Sequence, residues 1–316
     1  MRICVTGAAG FIGSHVAEAL VAEGHDVLAV DAFIPYYPRS VKETNLEPLV
    51  GDPHYRFVEL DLRRDPIEPV LAGADAVVHL AAMAGLPRSW TDFELYASCN
   101  LLAVERLLVA VRHVGVPRLL HVSTSSVYGR DAVGDETTPI RPISPYGVTK
   151  LAAEHLVLAH VDSFGINASI LRYFSIYGPR QRPDMAYHRF IEALLDGRPL
   201  TLFGDGDQTR SSTYVADCVR GTVQALGGAA PGEIYNIGGG ETVTVAEVIA
   251  ILADALAVRP RIDRRPARLG DQRHTAADTA KAHAAFGYRP HVAPRDGLLL
   301  QLAWQTEARR HDLPAA

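Results

Sequence analysis

The 316 residues predict an α/β fold, a doubly wound parallel sheet followed by a smaller carboxyl-terminal α/β portion. Three observations carry that prediction. Short apolar runs alternate with helical patterns through the first half of the chain. Most of these runs are continuously hydrophobic, as expected of strands covered by helices on both faces. The first run also leads straight into a glycine-spaced turn and then a helical pattern.

That turn is Thr6-Gly7-Ala8-Ala9-Gly10-Phe11-Ile12-Gly13, between a strand at Ile3–Val5 and a helix over Ser14–Glu23. Gly7 permits a tight bend, Gly10 lets a pyrophosphate come close, and Gly13 lets the helix pack on the strand. Phe11 and Ile12 belong to the same cofactor-binding loop. The helix start aims free N–H groups and a partial positive charge at phosphates. A second strand, Val27–Asp31, ends on a carboxylate about 20 residues downstream, placed for the adenosine ribose hydroxyls. Asp31 would repel a 2′-phosphate, so NAD is expected rather than NADP.

The remaining strands read Phe57–Asp61, Ala76–Leu80, Leu119–Ser123 and Ala168–Phe174. Ligands of such sheets sit beyond the carboxyl ends of the strands. Asp61-Leu62 ends the third strand, either touching the adenine or beginning the next loop. Leu80-Ala81-Ala82 ends the fourth with small residues that let a cofactor approach, and His79 reads as a packed strand histidine. Residues 101–114 carry an apolar stripe at Leu101, Val104, Leu108 and Val111. Asn100 stands just ahead of it, read either as the helix N-cap or as part of the cofactor set.

Composition narrows the function classes. A net charge of −5 argues against general nucleic-acid binding. No apolar run is long enough to span a bilayer, and the chain starts directly on a strand rather than on a secretory leader. Cys4, Cys99 and Cys218 show no paired spacing. They suit a reducing cytoplasm and exclude a disulfide framework or a cysteine-rich zinc site; no metal is expected.

The fifth strand runs into Ser123-Thr124-Ser125-Ser126, and Ser144-Pro145-Tyr146-Gly147-Val148-Thr149-Lys150 follows. Tyr146 and Lys150 are four apart and share one helix face. A phenol with its ordinary pKa near ~10 is a poor base at neutral pH. An adjacent ammonium and a positive nicotinamide ring favour the phenolate. Tyr146 can then take a proton from a sugar hydroxyl while the carbon gives hydride to the cofactor, with Thr124 bonded to the reacting oxygen.

The glycine loop, the Tyr146/Lys150 pair and the hydroxyl-rich strand end resemble the extended short-chain dehydrogenase/reductase superfamily over essentially the whole chain. More narrowly they resemble NAD-dependent sugar-nucleotide epimerases and dehydratases. That resemblance implies a Rossmann-type NAD-binding domain at 1–172, with Tyr173 near the nicotinamide. It also implies a UDP-sugar-binding portion at 173–316, with the chain free to cross between the two. The segments Asp31–Pro38 and Tyr173–Met185 look like UDP-glucuronate 4-epimerases. Related dehydratases carry an Asp-Glu pair where this chain has Ser125-Ser126, so elimination lacks its proton shuttle here.

Oxidising C4 of a glucuronate makes a β-keto acid that readily loses CO₂, so the carboxylate must be gripped. Thr124, Ser125, Ser126 and Ser175, with Arg182, are the expected grip, and Arg88 is a second candidate. For the UDP, Arg189 lies at the opening of a helix, Arg210 is the expected diphosphate ligand, and Phe203 stacks near the uracil. Arg268 and Asp271 supply a further cation and a ribose-binding carboxylate. The family often has Asp-Phe at Ser211-Ser212 and an acid at Ala216, departures that bear on local geometry. The expected reaction is 4-epimerisation of UDP-glucuronate to UDP-galacturonate through a transient 4-keto sugar. A UDP-glucose or UDP-N-acetylglucosamine 4-epimerase is the nearest rival; a decarboxylase and a non-catalytic NAD sensor rank lower. Helices at Asn100–Val114 and Tyr146–His160 resemble those that pair subunits in the family, which implies a homodimer.

Overall fold

The computed structural model describes residues 1–310. The six expected apolar runs form parallel strands: β1 (Arg2–Thr6), β2 (Asp26–Asp31), β3 (Tyr55–Glu59), β4 (Ala76–His79), β5 (Leu119–Thr124) and β6 (Ala168–Tyr173). A seventh, β7 (Ile234–Ile237), comes from far along the chain and pairs with β6. The order is β7-β6-β5-β4-β1-β2-β3, parallel throughout. Ile3, Val5, Val77, Val78, Leu120 and Leu171 are fully buried, because helices cover both faces. The order reverses between β1 and β4, which opens a crevice at the carboxyl ends of these strands.

β3 ends two residues earlier than the sequence pattern suggests, so Asp61 falls in the loop beyond it. Helix α1 (Phe11–Ala22) begins immediately after Gly10 and points its N-terminus into the crevice. Gly7 has φ +73° and lies against the backbone of Leu80 and Ala81. A Cβ on Gly13 would collide with the carbonyl oxygen of Gly7. Both glycines are therefore required by the meeting of three backbone segments.

The helix expected at 101–114 starts earlier than that. A turn at Phe93–Ala97 passes through a π-helical stretch, Ser98–Leu102, into α2 (Ala103–Val114), which ends on Gly115 in the left-handed region. Asn100 therefore lies inside the helix and is not its N-cap. It is fully buried. Its amide accepts from Met83 N at 2.8 Å and donates to Met83 O and Thr149 Oγ1 at 3.0 Å. It pins the loop after β4, a use consistent with π-bulges clustering at functional sites.

Helix α3 (Pro145–Phe164) is capped by Ser144, whose hydroxyl accepts from Gly147 N at 3.1 Å, and it closes on Gly165. Pro145 in its first turn removes a donor that the helix does not use. α3 is tied to the sheet by a buried ion pair. Arg172 on β6 donates to Glu154 through Nε at 3.0 Å and Nη2 at 2.7 Å. The hydroxyl of Ser123 on β5 also donates to Glu154. Arg172 Nη1 reaches Tyr128 Oη at 2.9 Å, and Tyr128 donates to Asn236 on β7 at 2.7 Å.

The rest of the chain adds small pairings, parallel except for Thr209–Arg210 with Val243–Thr244. Leu200–Phe203 pairs with Ile262–Arg265, and Ile176–Tyr177 with Thr213–Tyr214. A four-stranded sheet combines Val243–Thr244, Thr209–Arg210, His274–Ala277 and Asp131–Gly134. Among the described residues, no helix is long and apolar enough to cross a membrane.

Two stability predictions follow from this packing. Glu154→Ala strands Arg172 as an uncompensated buried charge and is expected to cost about 3–5 kcal/mol in urea unfolding. Gly13→Ala should lower stability by about 1–3 kcal/mol through overpacking. It should also reduce the dinucleotide content of the purified protein, read by absorbance after acid release.

Candidate active site

A cleft of about 870 Å³ fills the crevice. One wall is the first turn, with Gly7, Gly10, Phe11, Ile12 and Gly13. Asp31 enters from β2, Asp61 and Leu62 from beyond β3, and Leu80, Ala81 and Ala82 from beyond β4. The Cβ-free cradle, the helix N-terminus above it and the carboxylate at the end of β2 fit a dinucleotide.

Asp31 is buried and accepts from Phe33 N at 2.8 Å and from Lys42 Nζ at 3.4 Å. Lys42 is a cleft residue that no motif in the sequence marks. Asp61 is held by Arg63, whose Nη2 lies 2.7 Å from Oδ2 and whose backbone N–H reaches Oδ1 at 3.0 Å. The Arg63 guanidinium holds this carboxyl below the usual carboxylate range. Of the two readings of Asp61, its carboxylate thus serves the loop, although the residue still lines the cleft. His79 is a packed histidine as expected: Nδ1 lies 2.7 Å from Thr6 Oγ1, and burial pushes its pKa down to about 3.

Thr124 from β5 and Tyr146 and Lys150 from α3 converge on the same cleft. Burial raises the Tyr146 phenol, and the Thr124 hydroxyl and the Arg182 guanidinium pull it back down. Lys150 is buried, donates from Nζ to Val122 O at 2.7 Å, and is pushed down to about 8 by desolvation, with Glu154 opposing. The cation that lowers the phenol here is Arg182, whereas the sequence pointed to Lys150 and the cofactor.

The serines divide. Ser175 lines the cleft with φ +44°, a backbone strain common at functional sites. Ser125 is buried and turned away: it donates to Gln272 Oε1 at 3.1 Å, and Gln272 Nε2 donates back to Ser125 O at 3.0 Å. Ser126 is tied to Thr124, donating through its N–H at 3.2 Å and accepting at Oγ at 3.3 Å. Of these three neighbours only Thr124 lines the cleft, because the chain turns into a single 3-10 turn after it. The expected grip by Ser125 and Ser126 is therefore corrected.

Tyr173 lines the cleft, but its hydroxyl faces Thr222 Oγ1 at 2.5 Å and is not presented to a ligand. Arg88 also lines the cleft, with its guanidinium held by Asp92 at 2.8 Å and by Pro35 O at 2.9 Å.

A second cavity of about 480 Å³ adjoins the first. Ser175, Arg189, Arg210, Arg268 and Asp271 line both, so the two are continuous. Arg210 donates to three carbonyls, Thr209 O at 2.8 Å, Gln272 O at 2.7 Å and Arg273 O at 3.2 Å. It forms no ion pair among the described residues, and desolvation lowers its pKa. A partly buried guanidinium without a carboxylate partner is free to meet an anion. Asp271, at the same junction, has its carboxyl raised by burial. The Arg268 guanidinium lies 3.5 Å over the Phe203 ring, which lines the second cavity. At the family departures, Ser211 bonds Gly239 O at 2.5 Å, and Ser212, which lines the second cavity, bonds Tyr187 Oη at 2.9 Å.

Residues 3–238 match the NAD dependent epimerase/dehydratase family. The chain is 42% identical over 96% of its length to an uncharacterized UDP-glucose epimerase, YtcB, of Bacillus subtilis (strain 168), covering 98% of that protein. It is 34% identical to the UDP-glucuronate 4-epimerase of Thermodesulfobacterium geofontis (strain OPF15), covering 96% of this chain and 95% of that one. Among solved structures it resembles the UDP-glucuronic acid 4-epimerase of Bacillus cereus in complex with UDP-glucuronic acid and NAD. The TM-score is 0.95 at 40% identity, covering 97% of this chain and 99% of that chain. With this cradle, this tyrosine–lysine helix and these relatives, the chain belongs to the NAD-dependent epimerase/dehydratase family of extended short-chain dehydrogenases/reductases.

Proposed function

We propose that this chain is an NAD-dependent 4-epimerase interconverting UDP-glucuronate and UDP-galacturonate. The observation that carries the reading is Arg182, a guanidinium on the wall of the cleft that also holds Tyr146, Thr124 and Ser175. A sugar carboxylate one carbon from the reacting C4 would meet that cation. No acid stands after Thr124 to drive elimination. The similarity to UDP-glucuronate 4-epimerases supports the same substrate over UDP-glucose.

Gly7, Gly10, Gly13 and Asp31 would hold NAD, with Leu80, Ala81 and Ala82 beneath it. When bound, NAD supplies a hydride acceptor, and afterwards a donor, at C4′ of the sugar. Tyr146 takes the O4′ proton as the ketone forms and returns it when the ketone is reduced. Thr124 donates to the same oxygen, and Lys150 and Arg182 favour the phenolate over the phenol. Arg210, with Arg189 and Arg268, binds the diphosphate, Phe203 faces the uracil, and Asp271 takes the ribose hydroxyls. Gripping the nucleotide firmly lets the hexose turn over between the two hydride transfers. Arg182 and Ser175 hold the carboxylate, while Arg88 stays committed to Asp92 and the Pro35 carbonyl.

The protein is proposed to work as a cytoplasmic homodimer. Leu102, just before α2, and Val148 on α3 are about half exposed, apolar residues on the two helical segments proposed to pair.

The direct test supplies UDP-glucuronate, UDP-glucose and UDP-N-acetylglucosamine separately and follows the anomeric proton signals by NMR. A new anomeric signal is expected from the glucuronate alone. Tyr146→Phe should keep its NAD and lose about 10²–10⁴-fold in kcat, a loss a cofactor sensor would not register. Arg182→Ala should raise KM for UDP-glucuronate about 10–100-fold, the worth of hydrogen bonds to a charged group. The same change removes a cation that lowers the phenol pKa. Since the deprotonated form is active, the rising limb of the kcat/KM–pH profile should move to higher pH. An unmoved limb with unchanged KM would remove Arg182 from the site.

A further inference from the structure

Arg182 does not face the cleft unpartnered. Its Nε and Nη2 each donate at 2.9 Å to the two carboxylate oxygens of Asp184, a bidentate pair along one edge of the guanidinium. Pro183 between them restricts the backbone of this short link. The pair is partly buried, at 19% and 33% side-chain exposure, and both residues line the cleft that holds Tyr146. Nη1 makes no hydrogen bond among the described residues. The end-on edge, Nη1 with the second hydrogen of Nη2, is thus left for a ligand, and a planar fork held along one side can point in one direction only.

The Tyr36 phenol stands beside the pair: burial and the Asp184 charge raise it, and the Arg182 charge lowers it. The Arg182 guanidinium stands 5.3 Å from the centre of the Tyr36 ring. A Cβ on Gly85 would collide with the Tyr36 hydroxyl, so the ring is seated against bare backbone. A carboxylate inside a site for an anionic sugar works against binding by charge alone. Its presence therefore needs a reason other than affinity.

We propose that Asp184 is a positioning residue that aims the end-on edge of Arg182 at the substrate carboxylate and thereby keeps its C–C bond intact. This inference rests on the UDP-glucuronate reading. Once C4 is a ketone, CO₂ loss breaks the C5–C6 bond and moves its electron pair onto the ketone oxygen as an enolate. CO₂ departs and C5 takes up a proton. The step needs the C5–C6 bond aligned with the carbonyl π system. A carboxylate fixed by an immobile fork holds that bond out of alignment, whereas a loose fork lets it rotate. Asp184 governs the fate of the intermediate more than the strength of binding.

The test uses the purified holoenzyme with carboxyl-labelled UDP-glucuronate. Asp184→Asn keeps the shape but replaces one acceptor by a donor, and Asp184→Glu keeps the charge but displaces the oxygens by one methylene. In each variant the share of turnovers ending in labelled CO₂ should rise about tenfold, as misplacement by about an ångström can do. The calorimetric Kd for UDP-glucuronate should stay within about threefold for Asp184→Asn, since the lost charge offsets the lost order. Thermal melting and bound NAD confirm the fold, and either variant that folds decides the matter. An unchanged CO₂ share overturns the proposal. So does Asp184→Asn binding more than tenfold tighter with unchanged partitioning, which would make Asp184 a stand-in that the substrate displaces. If Arg182→Ala is impaired while the Asp184 variants are not, the grip stands and the aiming fails. If Arg182→Ala is also unimpaired, the substrate reading fails with it.

Discussion

The site depends on one buried ion pair. Arg172 on β6 and Glu154 on α3 are almost wholly excluded from water, and Ser123 on β5 joins them. Two strands of the sheet are thereby locked to the helix that carries Tyr146 and Lys150. A buried pair of this kind contributes little net stability compared with apolar packing, but it tolerates no misregister. Thr124 follows Ser123 directly, and Lys150 lies one helical turn before Glu154. The same clamp that closes the core therefore sets the distance between the strand hydroxyl and the helix phenol. The Tyr128–Asn236 extension carries it to β7.

The arginines around the cleft fall into two kinds, and the difference is chemical. Arg210 is partly buried against three carbonyl oxygens and has no carboxylate partner among the described residues. Arg182 is already committed along one edge to Asp184. The first suits a diphosphate, which is polyanionic and must stay bound through the cycle. The second suits a single carboxylate whose direction matters more than its affinity. Firm hold at the nucleotide and directional hold at the hexose are compatible with a sugar that has to turn over in place.

Much of this was readable in the residues. The strands were legible because buried parallel strands are continuous apolar runs, and the glycine turn because three backbones meet where no side chain fits. Tyr146, Lys150 and Thr124 were legible from spacing. Other features depend on tertiary contacts that leave no local trace. Asn100 looks like a cap because it precedes an apolar stripe; only the π-helical turn and the Met83 loop reveal its use. Ser125 and Ser126 look like ligands because they follow Thr124, but a single 3-10 turn points Ser125 at Gln272, 147 residues away. Lys42 and Asp184 carry no motif, and their roles come from what they face. β7 is a four-residue strand in a long carboxyl-terminal stretch, too short to announce which sheet it joins.

That late strand bears on how the chain is assembled. β6 is buried along its whole length, and one of its edges is satisfied by residues 234–237. A growing polypeptide emerging from the ribosome would hold that edge open until residues 234–237 had been made. Cutting the gene after residue 172 would give a fragment with a hydrophobic strand edge unpaired, inviting aggregation. Residues 1–172 and the stretch that carries β7 are thus interdependent in biogenesis.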